Sequence, residues 1–294
     1  MKKFILRILV FLGIILFFNF FLFQYSYNNY YKKYYNKPSK KYKSFLFADS
    51  HGAYLGNITQ EYDVYNYSSP SESYLDIKRK LNYLIGQKYK IDTVYISLDD
   101  NLLSQSRDLS NNNDKSIIYT TKNDYSNFFV YCRDRFFKFY FPIFNTKISS
   151  FIKANTFAGI IYLISPKSKS VVNIYKKDWY MLTDNIKKQE SIKRKDNMFS
   201  IEKSMISQKN LIEIISICKK KNIKIIGIKF PLTKSFIKEI DRISYAPSQI
   251  FIKYKIPFLD YEKLYLNRDF YFTDQDHLNE IGSKEFVKIV FEKK

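Results

Sequence analysis

Histidine and cysteine are almost missing from this 294-residue chain, which has two of each, and tryptophan occurs once. Two cysteines, Cys132 and Cys218, make no disulfide framework, and the expectation is two separate buried thiols. No His/Cys cluster has ligand spacing, so neither a metal nor a cofactor is expected. Acidic residues are also few: 28 Asp and Glu stand against 49 Lys and Arg, a formal net charge of +21. The lysines are spread along the chain among Ile, Asn, Tyr and Phe and form no stripe. That argues against nucleic acid as a partner and for attraction to an anionic membrane or polymer. No internal repeat is evident.

Long apolar runs are confined to the start. Lys2, Lys3 and Arg7 precede Ile8 to Phe23, interrupted only by Gly13 and Asn19, and Phe4 to Leu6 lengthen the run. With tilt and interfacial tyrosines this is long enough to cross a bilayer. The residues after Phe23 lack the small-x-small pattern of a cleavage site, so an uncleaved anchor over 1–24 is expected. No cysteine follows at once, which disfavours a lipid-modified N-terminus. A Tyr/Lys/Asn-rich tether over 25–43 then leads to one domain over 44–294.

Both histidines fall in two short stretches at opposite ends of that domain: Ala48-Asp49-Ser50-His51-Gly52 and Thr273-Asp274-Gln275-Asp276-His277-Leu278-Asn279. The first follows Ser44 to Phe47, a buried-strand pattern, which places Ser50 where a strand breaks into a turn. A serine hydroxyl needs a base within hydrogen-bond reach and a third group that orients the base. Ser50, His277 and Asp274 fit those roles. His51, next to the nucleophile, is badly placed as a base, and substrate contact or turn packing suits it better.

The first stretch resembles the opening block of the SGNH/GDSL hydrolase superfamily, and Asp274-x-x-His277 resembles its last block. The run Phe272 to Gly282 is similar to the ending of the envelope-associated branch. The resemblance implies a serine esterase or O-acyltransferase, with O-acetyl groups of a cell-envelope or exported polysaccharide as the substrate class. It also implies a domain outside the cytoplasm on a single inner- or cytoplasmic-membrane span. A transferase version needs a separate multi-span membrane protein as acyl donor. Lys32, Lys33, Lys37, Lys40, Lys41 and Lys43 outnumber the charges before the span, so the positive-inside rule by itself points the other way.

The body alternates strand and helix signals: strands at Tyr62 to Tyr67, Ile91 to Leu98, Ile223 to Phe230 and Ile256 to Leu259 follow the first. Ser69, Pro70 and Glu72 read as the capped start of a helix carrying Tyr74, Ile77, Leu81, Leu84 and Ile85. A second helix carries Ile201, Met205, Ile212, Ile215 and Cys218 and stops at Asn222. Leu232 to Tyr254 is helical with Pro247 interrupting or restarting it, and Glu280 to Glu292 is the last helix. The pattern predicts an α/β fold, a flavodoxin-like three-layer α/β/α arrangement of five parallel strands.

The oxyanion hole departs from the family pattern. The resemblance places a glycine after strand two and an asparagine after strand three. This chain has Asn66-Tyr67-Ser68 and Ser97-Leu98-Asp99-Asp100-Asn101, with Asp99 at the asparagine position. An aspartate there repels an oxyanion. Asn66 or Asn101, with the backbone N–H of Ser50 or His51, is the expected donor set; otherwise the site is impaired. Asn66 as a turn residue before the helix is an equal reading.

Residues 102–200 are too long for a plain connection and are expected to form an insertion or cap. Within them, Phe128 to Phe144 mixes aromatics with cations, which suits a membrane surface, sugar stacking or a packed helix face. Asn111 to Asp114 reads as a surface loop and Lys187 to Lys195 as a solvated stretch. Trp179 is expected in the core, with an acceptor groove as the alternative. Two functions remain open: the anchored serine enzyme, and an impaired SGNH-type carbohydrate-binding or assembly protein.

Overall fold

The computed structural model describes residues 1–164, 178–199, 202–241, 243 and 245–292. The chain divides into two compact units, Met1–Asn36 with Asp114–Lys176, and Lys37–Asn113 with Lys177–Lys294. The second boundary set differs from the single insertion over 102–200, because residues 102–113 and 178–199 pack within the second unit.

The first unit contains the apolar helix α1 (Lys2–Ser26), which runs on through a wider turn at Tyr27–Tyr31. This is one helix long and apolar enough to cross a membrane. The stretch read as a tether does not behave as one throughout. Tyr31 and Tyr34 are buried, the Tyr31 ring lying 4.7 Å from that of Phe139 and the Tyr34 ring 5.9 Å from that of Tyr119.

The second unit is built on a parallel sheet. In chain order its elements are β1 (Ser44–Phe47), the short α2 (Ser50–Ala53), β2 (Val64–Asn66), α3 (Tyr74–Gly86), β3 (Thr93–Ser97), α4 (Asp184–Met198), α5 (Met205–Lys220), β4 (Lys224–Lys229), α6 (Lys234–Ile240), α7 (Pro247–Lys253), β5 (Phe258–Asp260) and α8 (Glu280–Phe291). The strand order is β2-β1-β3-β4-β5 with every pairing parallel. This is the expected flavodoxin-like order, in which sites form beyond the carboxyl ends of the strands.

Strand pleating sends alternate residues of β1 to opposite faces. Leu46 and Ala48 join Ile228, Phe230 and the α8 residues Phe286, Val287 and Phe291 in one buried cluster, together with Trp179, which is therefore a core residue. Phe45 and Phe47 lie against Tyr65 and Tyr67 on the other face, with the Lys80 ammonium of α3 over the Tyr67 ring. A Lys78–Glu213 ion pair of 2.7 Å ties α3 to α5. Gly227 on β4 leaves room for Leu98 and Phe258, which a Cβ would strike.

The start of α3 differs from the sequence reading. Ser73 is the cap, and Asp76 closes the capping box. Both Ser69-x-x-Glu72 and Ser73-x-x-Asp76 satisfy the pattern, and the second prevails because Glu72 is buried in an ion pair with Lys80 at 2.7 Å. Asn111 to Asp114 is not simply a surface loop: Asn112 is buried, its side chain donating to the Pro70 carbonyl and its N–H to Asp76. Asn222 stops α5 as expected, in the left-handed region at φ 53°. Ile201 lies outside the described residues. Pro247 begins α7 at its first turn. Cys132 and Cys218 are free thiols; Cys218 is buried, which pushes its pKa up to about 12, while Cys132 is only partly buried.

Candidate active site

β1 is followed by a buried Ala48-Asp49 pair, and the chain turns directly into α2 with Ser50 as its first residue. The turn is close-packed. A Cβ on Gly52 would come within 2.6 Å of Ala48 Cβ and 2.5 Å of Ser68 Oγ, so only glycine lets β1 and the segment after β2 approach this closely.

Asp49 caps α2 by accepting the His51 N–H at 3.1 Å through Oδ1. Its Oδ2 accepts from Asn101 Nδ2 at 2.9 Å and from the Arg107 guanidinium at 3.0 Å. Burial alone would raise the Asp49 carboxyl; His51, Arg107 and these hydrogen bonds outweigh it and hold the group below its ordinary value.

On the other side of the cavity, the loop before α8 presents His277. Its Nδ1 lies 2.9 Å from each oxygen of Asp274, whose Oδ1 also accepts the His277 backbone N–H at 2.9 Å. A carboxylate can only accept, so Nδ1 carries a proton, and a neutral ring then presents its lone pair at Nε2. Among the described residues, the buried Nε2 has no hydrogen-bond partner. The Tyr54 ring stacks on the imidazole, centroids 4.3 Å apart at 17°. Ser50 and His277 line one cavity of about 350 Å³, with Tyr54, Arg107, Arg194 and Asn197 among its walls. The geometry therefore brings Ser50, His277 and Asp274 to one site, beyond the carboxyl end of β1.

Asn66, Asn101 and His51 do not face it as expected. Asn66 Nδ2 donates to the carbonyls of Gly52 at 2.8 Å and Gly56 at 2.9 Å, and its Oδ1 accepts from Ser68 N–H. Both amide protons are used, so Asn66 is the turn residue and not an oxyanion donor. Asn101 is buried with its amide on Asp49, and the His51 N–H is likewise committed to Asp49. The His51 ring is buried between two carboxylates, Nδ1 2.7 Å from Asp99 and Nε2 3.3 Å from Asp276, which removes it from substrate contact. Burial pulls the His51 pKa down, but Asp49, Asp99 and the hydrogen bonds to Asp276 and Asp99 raise it well above its ordinary value. With a carboxylate against each ring nitrogen, both nitrogens act as donors and the arrangement favours the charged form of the His51 ring.

That cation changes the meaning of Asp99. Its second oxygen accepts the Phe230 N–H at 2.9 Å, so the carboxylate is turned into the sheet and compensated. Asp100, next to it, accepts the Tyr245 and Ala246 N–H groups and the Lys229 ammonium.

Three residues of the site escaped the sequence reading. Asp276 is buried, accepts both Nε and a terminal nitrogen of Arg194 at 2.9 and 2.8 Å, and lies 3.5 Å from His277 Nδ1. Burial would raise its pKa, but His51, His277 and Arg194 hold it well below the carboxylate range. Arg194 belongs to the stretch read as solvated, and Lys187 in the same stretch is buried against Asp269 at 2.8 Å. Arg107 is the third. The available signal was residue type: Arg107 and Arg194 are two of only eight arginines among 49 basic residues, and arginine is favoured over lysine where, as at Arg194, a carboxylate is gripped by two donors.

No protein-family model matches the chain, and no curated protein sequence matches it. Among solved structures it is similar to a candidate acylhydrolase from Bacteroides fragilis NCTC 9343, at 12% identity over 90% of this chain and 93% of that one, with a TM-score of 0.39. It is similar also to a GDSL-like lipase from Bacteroides thetaiotaomicron VPI-5482, at 10% identity over 90% of this chain and 95% of that one, again with a TM-score of 0.39.

Proposed function

We propose that the chain is a membrane-anchored serine esterase or acyltransferase of the SGNH type. The observation that carries this reading is the unpartnered His277 Nε2 beside the cavity that Ser50 also lines, with Nδ1 fixed by Asp274. Ser50 Oγ attacks an ester carbonyl while His277 Nε2 takes the hydroxyl proton; the same proton then goes to the departing alcohol, leaving an acyl-serine. Water or a sugar hydroxyl, deprotonated by His277, releases the acyl group. Asp274 keeps the ring in the required tautomer. The Arg107 and Arg194 guanidiniums on the cavity wall supply positive potential where negative charge develops.

The substrate class is the O-acetyl ester of an envelope or exported polysaccharide, and the site-bearing unit lies outside the cytoplasmic membrane. A transferase version draws its acyl group from a multi-span membrane partner. The test is release of acetate from O-acetylated polysaccharide by the detergent-solubilised full chain, abolished in Ser50→Ala. Consumption of the ester only when a second polysaccharide is supplied as acceptor assigns transfer in place of hydrolysis.

A second reading, a non-catalytic carbohydrate-binding or assembly protein, draws on the commitment of Asn66 and Asn101 to other partners. Polysaccharide retention without acetate release from any acetylated substrate is its signature.

A further inference from the structure

Asn19 is the one strongly polar side chain between Ile8 and Phe23 in α1. An unbonded carboxamide in hydrocarbon costs several kcal/mol. Here Asn19 Nδ2 donates to the Tyr140 carbonyl at 2.9 Å, so the acceptor comes from a segment 121 residues away. The same segment continues up the helix. The Phe23 ring meets those of Phe139 at 5.6 Å and Tyr140 at 5.3 Å, and Phe151 lies 5.1 Å from Tyr30.

Depth follows from helix geometry. At 1.5 Å per residue, Asn19 lies roughly 6 Å inside the end of the apolar run at Phe23. Whatever depth α1 has in a bilayer, Tyr140 shares it. Many apolar side chains around Tyr140 are nonetheless uncovered: Phe129 is 80% exposed, Ile143 64% and Phe144 56%, with Phe128, Phe136 and Phe137 also exposed. Such a patch on a water-facing surface is costly. Arg133, Arg135, Lys138 and Lys147 accompany it against the single acid Asp134 in 128–147, the mixture of aromatic and cationic side chains that interfacial segments use.

We propose that residues 128–144 are a second membrane element, a patch immersed in the outer part of one leaflet beside the exit of α1, with phospholipid as its occupant. It gives the first unit two attachments, and rotation about α1 is restricted by the second.

The test uses the full chain in phosphatidylcholine/phosphatidylglycerol vesicles, with Phe129→Trp and Phe144→Trp made separately. Trp179 is the only native tryptophan and is buried, so the wild type supplies the background. Both variants are expected to gain emission at shorter wavelength than a water-exposed tryptophan, lost when the lipids carry bromine on their acyl chains and insensitive to aqueous iodide. Water-like emission quenched by iodide overturns the proposal. Shielding from both quenchers overturns it too, since a second copy or another protein then covers the rings.

Discussion

His51 and His277 lie on either side of one carboxylate: Asp276 is 3.3 Å from His51 Nε2 and 3.5 Å from His277 Nδ1, and their rings are 5.5 Å apart. The two histidines of the chain nevertheless have different surroundings. One has both ring nitrogens held by carboxylates beneath the site, and the other has an Nε2 without a hydrogen-bond partner among the described residues.

Asp276 is expected to matter more for stability and Asp274 more for rate. In Asp276→Asn the buried His51 imidazolium and Arg194 lose a shared counter-charge, an uncompensated-charge defect of roughly 3–5 kcal/mol. At about 2–4 °C per kcal/mol for a domain of this size, the melting temperature should fall by roughly 6–20 °C. Asp274→Asn should fold with a far smaller change, while acetate release falls by roughly 10³–10⁴-fold through loss of the correct His277 tautomer. Thermal unfolding and steady-state rates on both variants check the split.

Stability should decline on both sides of neutrality. His51 binds its proton more tightly when folded, so its contribution is complete below the unfolded value of about 6.5 and is lost as pH rises through the higher folded value. Asp49 and Asp276 behave oppositely: their contribution is complete above about 4 and is lost as pH falls through their depressed folded values. Melting temperature measured against pH should show a plateau between these limits. A His51→Gln variant should lose much of the alkaline decline; an unchanged alkaline limb assigns it to other groups.

Gly52→Ala should disturb the turn at Ser50 directly. Ser68 Oγ can rotate away from a new Cβ, but Ala48 Cβ at the end of β1 cannot. An overpacking cost of about 1–3 kcal/mol is expected, with a slower reaction at Ser50 even in the folded fraction.

Asn66→Ala separates the turn role from the oxyanion role. Two carbonyls lose their donor, so stability should fall by about 1–3 kcal/mol. The rate per folded molecule should stay within a few-fold of wild type, whereas loss of an oxyanion donor costs roughly 10²–10³.

What could be read from the sequence was what depends on neighbours along the chain. β1 and the turn at Ser50 follow from an apolar run broken by small polar residues, and Asp274 reaches His277 within four residues of backbone. The stop at Asn222 and the restart at Pro247 rest on single-residue backbone preferences. The rest depends on partners distant in sequence. Glu72 gave up a helix cap because Lys80 reached it in the core, and Arg194 looked like one more solvated cation until Asp276 lay beside it. Asp99 looked like a defective asparagine because its compensating charge, His51, is 48 residues away. A buried acid reads as a flaw until its counter-ion is seen.

The central claim is that Ser50 is a nucleophile activated by His277. A fluorophosphonate, which forms a stable ester only with an activated hydroxyl, should add once to the full chain, with the mass increase mapped to the peptide carrying Ser50. The adduct should be absent in Ser50→Ala and formed far more slowly in His277→Ala. Wild-type protein that stays unmodified from pH 6 to 9, or an adduct mapped to another residue, contradicts the account.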